Sequence, residues 1–442
     1  MTESTFDNWK DLVKASLKGK EWNALQTGTA EGITLEPLYT TLTTQQQNQS
    51  SRVIASRTQS EVAFLKALTS VHVDVREAHK RGADAATELL SFLIDCDAYM
   101  TQHQQLPKTA AFAVDTHFFM EIAKLRAARL LWANFSDVHA QKDAPLQLVA
   151  ETSLRSYSLY DPHVNLLRSA NSAFAAVLGG AEAVHVYPFD CLTGGTGLGQ
   201  RLAENVLEII RHESLVTEVL DPAGGSYSIE ALTENLAKSV WEQFQNIMDL
   251  PSDERTKQLE EKITKAYIFL ANQTAIRAHS LIGTTIYANP KGAVAEIIQD
   301  FGYVRLAEPY ETLRAKLQPL AQRVAIVQTG SLKESKPRVD FVKGFLSTFG
   351  WDAPVFDSMT TTPETLLQQG VTYAVLVGPD ESIEEVVPKW LNNGLILDVA
   401  GKHSKTSDWQ DQGLNGSIFL GQSLIEKGQE LVDALQIKGA FE

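Results

Sequence analysis

The chain has 442 residues, of which 44% are hydrophobic and 21% charged, and it carries a formal net charge of −15. This composition is ordinary for a globular protein of two or three domains. The negative charge argues against binding nucleic acid or an anionic membrane, because both require a cationic surface. Cys96 and Cys191 form no close pair, so we expect neither a disulfide framework nor a thiolate zinc site. The N-terminus has no apolar signal region and no run is apolar enough to span a membrane, which predicts a cytoplasmic protein.

The first predicted element is a short amphipathic helix over residues 5–20, where apolar side chains recur at helical spacing. The polar stretch 40–51 predicts a linker without regular structure. From residue 52 to residue 288, β-like runs alternate with amphipathic helical stretches, as is typical of βα units around a parallel sheet. These runs are RVIAS, SVHVDV, AAFAVD, LQLVAE and AEAVHVY. The pattern fits either an open doubly wound sheet or a closed barrel, and residues 232–281 are predicted to be almost wholly helical.

Residues 290–322 contain three prolines among short helical pieces and are interpreted as a connection between domains. A second βα series runs from residue 323 to residue 442, with five predicted strands and intervening helices. This series fits a flavodoxin-like doubly wound domain. Four of its predicted strands are followed by glycine, at positions 330, 378, 401 and 421. Such positions can face a ligand, although glycines also serve tight turns in which no ligand is bound.

The segment DPHVNLLRSANSAFAAVLGGAEAVHVYPFD, residues 161–190, predicts a helix followed by a strand. Its initial Asp-Pro pair suits a helix start, and the pair Gly179-Gly180 suits the helix end. Asp190 follows the strand, where barrel enzymes carry functional residues. An aspartate that caps a turn is the simpler interpretation, and His185, inside the strand, is interpreted as a core or rim residue.

Six segments carry a more specific signal: TAEGITLEPLYT (29–40), GADAATEL (82–89), EIAKLRAARLLWA (121–133), SLYDPHVNLLR (158–168), AAVLGGAEAVHVYPFD (175–190) and DPAGGSYSIE (221–230). Together, in one register, they resemble the adenosylcobalamin-dependent methylmalonyl-CoA mutase family. The fold that this resemblance implies is an N-terminal (β/α)8 barrel of the TIM type, which holds a CoA ester, followed by a flavodoxin-like cobalamin-binding domain.

The resemblance implies four parts in this α/β chain. Residues 1–51 would form an N-terminal helix and an extended segment that contacts a partner, and residues 52–289 a shortened (β/α) barrel. Residues 290–322 would be the linker, and residues 323–442 a flavodoxin-like domain of the B12-binding type that is degenerate.

The barrel is expected to be shortened because only 80 residues separate Thr40 from Glu121, where the family has a much longer segment with the first barrel strands. Each βα unit takes about 30 residues or more, so several strands are predicted to be missing. A truncated barrel exposes unpaired strand edges. A partner, a second copy of the chain or the segment 40–60 could cover them.

The second half of the chain departs from the family at the cobalt ligand. Catalytic members carry a D-x-H-x-x-G loop after the first strand of the cobalamin domain, and its histidine is the lower axial ligand. The matching loop here, residues 329–336, reads TGSLKESK and has no histidine. No histidine occurs between His279 and His403, and His403 follows a later strand.

The barrel departs from the family as well. The H-x-Q-T-S-G motif of catalytic members is matched by residues 149–154, which read VAETSL, so valine replaces the histidine and Glu151 the glutamine. An acid in the pocket would repel an anionic substrate unless it were paired. Cys191 stands where catalytic members have a glutamate that contacts the adenosyl group. The family's substrate-proximal histidine is replaced within residues 73–75, with His72 and His79 as alternative candidates in another register.

Two further polar groups are weighed against simpler interpretations. Lys124, Arg126 and Arg129 lie on one predicted helix and could approach a CoA phosphate, but a solvated helix face is the preferred interpretation. Asp115 and His117 have no third ligand at suitable spacing, so no metal site is assigned. We therefore assign no catalytic, cofactor-binding or metal-binding residue.

These departures together resemble the small subunit of heterodimeric methylmalonyl-CoA mutases. The resemblance implies a chain that is non-catalytic by itself and binds no cofactor, with adenosylcobalamin held by a catalytic large subunit as the partner. Two alternatives stay open: a catalytically active acyl-CoA mutase variant, and a module that binds CoA or a nucleotide.

Overall fold

The computed structural model describes residues 3–43, 46, 49, 52–54, 62–65, 71–141, 144–292 and 295–439. The chain is a mixed α/β protein with two parallel five-stranded sheets. It divides into two compact units. The first comprises Met1–Ser156, Asn165–Phe269 and Gln299–Val304, and the second comprises Tyr157–Val164, Leu270–Ile298 and Arg305–Glu442. Among the described residues, no helix is long and apolar enough to cross a lipid bilayer.

The first unit begins with helix α1 (Glu3–Ser16) and a short antiparallel hairpin of β1 (Thr27–Gly28) and β2 (Thr34–Leu35). The predicted amphipathic helix is confirmed and ends earlier than expected. No side chain from residue 5 to residue 16 is buried, and Leu12 is 70% exposed. The apolar face of α1 is therefore only partly covered. Most of the predicted linker at 40–51 lies outside the described residues.

The sheet of the first unit has the strand order β3-β7-β6-β5-β4, and all its pairs are parallel. The strands are β3 (Ala63–Phe64), β4 (Val73–Asp74), β5 (Thr109–Val114), β6 (Gln147–Thr152) and β7 (Ala183–His185). The helices are α2 (Arg76–Lys80), α3 (Ala85–His103), α4 (Phe118–Val138), α5 (Pro162–Leu178), α6 (Gly197–His212), α7 (Tyr227–Met248) and α8 (Ser252–Ala275). In β5 and β6 every residue after the first is buried, as expected for parallel strands that are covered on both faces.

Two features of this sheet differ from the prediction. Residues 52–54, at the start of the predicted RVIAS strand, are helical, and β3 was not predicted because it is only two residues long. The strands β3 and β4 stand at the two ends of the row of described strands. The long helical stretch is confirmed by α7 and α8, and α5 begins at Pro162 as its Asp-Pro start indicates.

The second unit contains the five predicted strands, in the order β12-β11-β10-β8-β9, and all its pairs are parallel. The strands are β8 (Val324–Gln328), β9 (Val355–Asp357), β10 (Tyr373–Val377), β11 (Ile396–Ala400) and β12 (Gly416–Ile418). The helices are α9 (Glu308–Leu317), α10 (Leu332–Ser347), α11 (Pro363–Gln368), α12 (Asp380–Trp390), α13 (Thr406–Gln410) and α14 (Leu424–Ile437). Apolar side chains on both faces of this sheet form two separate core clusters. The short helix α13 was not predicted.

A buried ion pair lies within the second unit. Asp398, in the middle of β11, and Lys427, on α14, are both fully buried, and their charged atoms are 2.6 Å apart. The hydroxyl of Tyr373 and the side-chain amide of Asn415 also donate to the Asp398 carboxylate, at 2.6 and 3.0 Å. The Asp398 carboxylate therefore has three polar partners, and Lys427 is its counterion.

We expect Lys427→Ala to lower the free energy of unfolding by about 3–5 kcal/mol, because it leaves the carboxylate of Asp398 buried without its counterion. The matched control is Lys405→Ala, which removes an exposed pair with Glu384 and should cost less than about 1 kcal/mol. Equilibrium denaturation in urea measures both variants. Equal losses in the two would contradict the assignment of Lys427 as a buried counterion.

Candidate functional site

Polar side chains gather where the strands of the first sheet end. The carboxyl ends of parallel strands meet at one edge of a sheet, and this edge carries the active site in barrel enzymes. Arg76 follows β4, Asp115 follows β5, and residues 151–156 occupy the end of β6 and the turn beyond it. Tyr187 follows β7. We call these residues, together with His79, Glu88 and Tyr303, which are bonded to them directly or through one another, the strand-end cluster.

Glu151 lies at the centre of the strand-end cluster. Its side chain is 2% exposed. Its Oε2 atom accepts a hydrogen bond from Arg76 at 2.8 Å, and its Oε1 atom accepts one from the hydroxyl of Tyr303 at 2.6 Å. The hydroxyl of Tyr187 lies 3.5 Å from Oε2. The expectation that an acid here must be paired is therefore met, and its counterion is supplied by the chain itself.

Residues 299–304, which we call the strap, lie across the strand ends. The backbone N–H of Gln299 donates to the carbonyl of Leu192, and the N–H of Val304 donates to the carbonyl of Lys80. The ring of Tyr303, on the strap, packs edge-on against the imidazole of His79. The strap falls within the segment that the sequence predicted to be a linker. Nothing in its local pattern indicates that it returns to the first unit.

His79 links two other members of the strand-end cluster. Its Nδ1 atom is 2.7 Å from Oε1 of Glu88, and its Nε2 atom is 2.7 Å from Oγ of Ser153. A carboxylate only accepts hydrogen bonds, so in a neutral imidazole Nδ1 carries the proton and Nε2 accepts from the serine. This is the order of contacts in a Ser-His-acid triad. The three residues are 0–3% exposed, however, so no substrate can reach the serine in this conformation.

Neighbouring charges fix the ionisation of the carboxylates in this cluster. Burial favours the protonated form of Glu88, but Lys124 and His79 outweigh burial and lower the pKa of Glu88 below its ordinary value. Burial also opposes the ionisation of Asp115. Arg155, with its Nε donating at 2.8 Å, holds the pKa of Asp115 well below its usual range. Glu88 and Asp115 are therefore ionised, and each is paired with a buried cation.

The interpretation of the basic helix as a solvated face was wrong. Lys124, Arg126 and Arg129 on α4 are all completely buried, and each contacts a carboxylate. Lys124 pairs with Glu88 at 2.8 Å, and Arg129 pairs with Glu182 at 2.6 Å. The three cations connect α4 to surrounding elements, so none is presented to a CoA phosphate.

One of these cations, Arg126, connects the two ends of the segment DPAGGSYSIE. Arg126 donates to both oxygens of Asp221, the first residue of the segment, and to Oε1 of Glu230, the last, at 2.6 Å. The backbone N–H of Gly225 donates to the same Oε1 atom at 2.9 Å. The turn before α7 is thus closed around a buried guanidinium, which gives this segment a structural role.

The other residues weighed from the sequence have contacts within the first unit. The carboxylate of Asp190 accepts from the hydroxyl of Thr196 at 2.6 Å, and that hydroxyl caps the start of α6. His185 approaches the carbonyl of Leu65 with Nδ1 at 2.8 Å. Cys191 is buried. Asp190 therefore supports the start of α6 indirectly, by accepting from the side chain of Thr196, and not by accepting from a backbone N–H as a capping aspartate would.

Arg76 and Tyr303, which both donate to Glu151, were missed by the sequence analysis. Arg76 could have been found, because it immediately follows the predicted strand SVHVDV, at the position where strand-end residues face a barrel mouth. Tyr303 could not, because its contact with Glu151 spans 152 residues of sequence. His72, the other candidate, lies before β4, where its Nδ1 accepts from the N–H of Lys108 at 3.2 Å.

In the second unit, the loop that matches the cobalt-ligand loop is packed against its neighbour. A Cβ atom added to Gly330 would lie 3.0 Å from atoms of Pro379 and Ser382, and one on Gly378 would lie 2.5 Å from the backbone of Thr329. These two glycines therefore serve close packing between strand ends. The side chain of His403 is 2% exposed, and its Nε2 lies 3.2 Å from the carbonyl of Ala400.

No group of three or more His, Cys, Asp or Glu side chains that could hold a metal ion is found within the described ranges. A corrinoid cobalt of the family takes a single imidazole from the protein, so the fit to that cofactor depends on the histidines of the second unit. The loop at 329–336 has no imidazole, and His403 turns its nitrogens toward Ala400 and Asp380 of its own unit.

A polar cavity of about 580 Å³ lies beside the end strand β4 and helix α3. It is lined by Val71, His72, Val73, Asp74, Asp95, Ala98, Tyr99, Gln102 and His103. Burial and, to a smaller extent, the charge of Asp74 raise the pKa of Asp95 to about 6, while the hydroxyl of Ser91 opposes this shift. Asp95 thus ionises at a higher pH in the folded protein than in the unfolded chain.

Comparison with known proteins identifies the family. The profile described as methylmalonyl-CoA mutase matches residues 12–299, and the chain belongs to this family. It is 32% identical over 327 residues to the probable methylmalonyl-CoA mutase small subunit of Mycobacterium tuberculosis, covering 68% of this chain and 52% of that protein.

The chain is also similar to two other proteins described as methylmalonyl-CoA mutase small subunits. It is 25% identical over 358 residues to that of Porphyromonas gingivalis, covering 74% of this chain and 58% of the relative. It is 26% identical over 407 residues to that of Propionibacterium freudenreichii subsp. shermanii, covering 83% and 63%. The match thus spans little more than half the length of these relatives, and the small-subunit resemblance inferred from the sequence is confirmed.

We expect Arg126→Ala to lower the free energy of unfolding by about 3–5 kcal/mol, because it leaves the carboxylates of Asp221 and Glu230 buried without a counterion. Arg81→Ala, which removes a half-exposed pair with Glu260, is the control and should cost less than about 1 kcal/mol. Urea denaturation gives both values. A loss for Arg126→Ala no larger than that of the control would show that the segment does not depend on the guanidinium.

The raised pKa of Asp95 predicts that the stability of the protein depends on pH. Its folded pKa of about 6 is above the unfolded value of about 4, so the wild-type protein loses stability as the pH rises from about 4 to about 6. Asp95→Asn removes this titration. The variant should therefore gain up to about 2–3 kcal/mol over wild type across this window, at 1.36 kcal/mol per pKa unit. Urea unfolding of both proteins at several pH values tests this, and a difference that is constant with pH would contradict it.

Proposed function

We propose that this chain is a small-subunit component of an adenosylcobalamin-dependent methylmalonyl-CoA mutase, which interconverts methylmalonyl-CoA and succinyl-CoA. In this proposal the chain supports a catalytic large subunit in a heterodimer and performs no isomerisation by itself. The first unit is then a truncated TIM-type barrel and the second a flavodoxin-like domain. The strand order in the second unit, 2-1-3-4-5 in chain order, is the flavodoxin-like order.

One observation carries the proposal: the strand-end cluster is filled by side chains of this chain. In barrel enzymes this edge holds the substrate. Here the side chain of Glu151 is 2% exposed, and it is held by Arg76 and by Tyr303 of the strap. His79, Glu88 and Ser153 are buried beneath. An acyl-CoA would have to break these ion pairs, and leaving a charge buried without its partner is costly.

The cofactor belongs to the partner in this proposal. Adenosylcobalamin supplies radical chemistry when it is bound, and a cobalt atom in a family site takes an imidazole as its lower ligand. The loop at 329–336 offers none, and the imidazole of His403 is buried against its own unit. These two features support a second unit that keeps the fold of a cobalamin domain without the ligand set.

Features of the first unit suit a chain that works in a complex. The apolar face of α1 is only partly covered, with Leu12 exposed. The strands β3 and β4 end the row of described strands, and edge strands present backbone groups that can pair with another chain. We infer that the N-terminal segment and these edges contact the large subunit.

The test combines the purified chain with adenosylcobalamin, methylmalonyl-CoA and a large subunit that carries the D-x-H-x-x-G loop. We expect the chain alone to give no histidine-ligated cobalamin spectrum and no succinyl-CoA. We expect it to co-elute with the large subunit in size-exclusion chromatography and to raise the thermal stability of that subunit.

His403→Ala is the matched control for the spectrum. A histidine-ligated spectrum in the wild-type chain that disappears in His403→Ala would overturn the proposal. Turnover of methylmalonyl-CoA by the chain alone would overturn it as well. Failure to co-elute with the large subunit would reject the supporting role separately from the absence of catalysis.

A further inference from the structure

The donors around Glu151, a guanidinium and phenol hydroxyls, are groups that recognise carboxylates through charge-assisted hydrogen bonds. A guanidinium and a phenol hydroxyl each donate to a different oxygen of this carboxylate, and a second phenol lies nearby. We propose that Arg76, Tyr303 and Tyr187 form a carboxylate-binding site whose ligand is the side chain of Glu151. Small monocarboxylates are the ligand class for this site once the internal ligand is removed.

Arg76 has N–H groups that are not used by Asp74 and can donate to this ligand. Its Nε and one terminal nitrogen donate to the two oxygens of Asp74 at 2.7 and 2.6 Å, and its other terminal nitrogen donates to Glu151. Burial works to lower the pKa of Arg76, but Asp74 and Glu151 outweigh burial and hold it above its ordinary value. The guanidinium is thus charged and fixed by Asp74, and its remaining N–H groups point at the second carboxylate.

Glu151 is almost fully buried, whereas the neighbouring side chains Arg76 and Asp74 are partly exposed. The side chain of Glu151 is 2% exposed, whereas that of Arg76 is 13% exposed and that of Asp74 34% exposed. Hydrogen bonds to a charged ligand are stronger in such a partly dry place than in water. With Arg76 13% exposed, the site is less enclosed than a fully buried pair such as Arg129 with Glu182.

The size of the ligand follows from the atoms that a substitution removes. Glu151→Ala deletes one methylene and the carboxyl group, which together have the heavy atoms of acetate. Acetate therefore replaces the lost side chain atom for atom, while propionate carries one methylene too many for a packed site. The inference concerns the strand-end cluster alone, and it stands whether or not the chain supports a catalytic partner.

The experiment measures the melting temperature of the full chain as Glu151→Ala, as Glu151→Gln and as wild type. Each is titrated with sodium acetate at ionic strength held constant with sodium chloride. We expect a saturable rise for Glu151→Ala, because a ligand that binds only the folded state stabilises it by mass action. We expect no such rise for wild type or for Glu151→Gln, in which a side chain of the same size still fills the site.

Two further arms test the donors and the size. The double variant Glu151→Ala with Tyr303→Phe lacks one donor, so its rise at a given acetate concentration should be smaller. Propionate should raise the melting temperature of Glu151→Ala less than acetate does. Equal rises in all variants and wild type, or no rise in Glu151→Ala, would overturn the proposal.

If Glu151→Ala does not fold in sodium chloride, a refolding experiment replaces the melting experiment. The variant is then diluted from urea into acetate or into chloride, and the helical signal in circular dichroism is compared. Recovery in acetate and not in chloride supports the carboxylate site. The absence of recovery in both salts overturns it.

Discussion

The pairing of buried charges around helix α4 is the constraint on which the first unit depends. An isolated charge in a protein interior costs several kcal/mol, and this cost is offset only when a counterion and hydrogen bonds are in place. Lys124, Arg126 and Arg129 each meet that condition with a carboxylate from a different element. Glu88 comes from α3, Glu230 from α7, and Glu182 from the turn before β7. The three pairs thereby fix the positions of the elements that surround α4 and the sheet.

The same condition explains how the strand ends are built. Glu151 brings a negative charge into the edge where parallel strands end, and Arg76 and Tyr303 satisfy it. His79 is satisfied in turn by Glu88, which also holds Lys124. Glu88 therefore connects the strand-end cluster to the Lys124 pair of α4. An edge that holds a substrate in a barrel enzyme is here an internally neutralised part of the core.

Much of the architecture was predictable because it rests on local patterns. Alternating β-like runs and amphipathic helices predicted both parallel sheets, and the Asp-Pro start predicted the first residue of α5. Family motifs in one register identified the methylmalonyl-CoA mutase family and the small-subunit resemblance, which the profile match and the relatives confirm. The prediction of a strand at RVIAS was wrong for residues 52–54, which are helical, since a short apolar run does not by itself distinguish a strand from a helix.

The sequence by itself determined the periodic elements, the family and the lack of an imidazole in the loop at 329–336, because each is a property of residues close together in the chain. Only the tertiary structure decided that the cations of α4 are buried, that the strap returns to the first unit and that Glu151 has Arg76 and Tyr303 as partners. A charged residue has the same local pattern on a solvated face as in a buried pair. What separates the two cases is a partner that folding brings from a distant part of the chain.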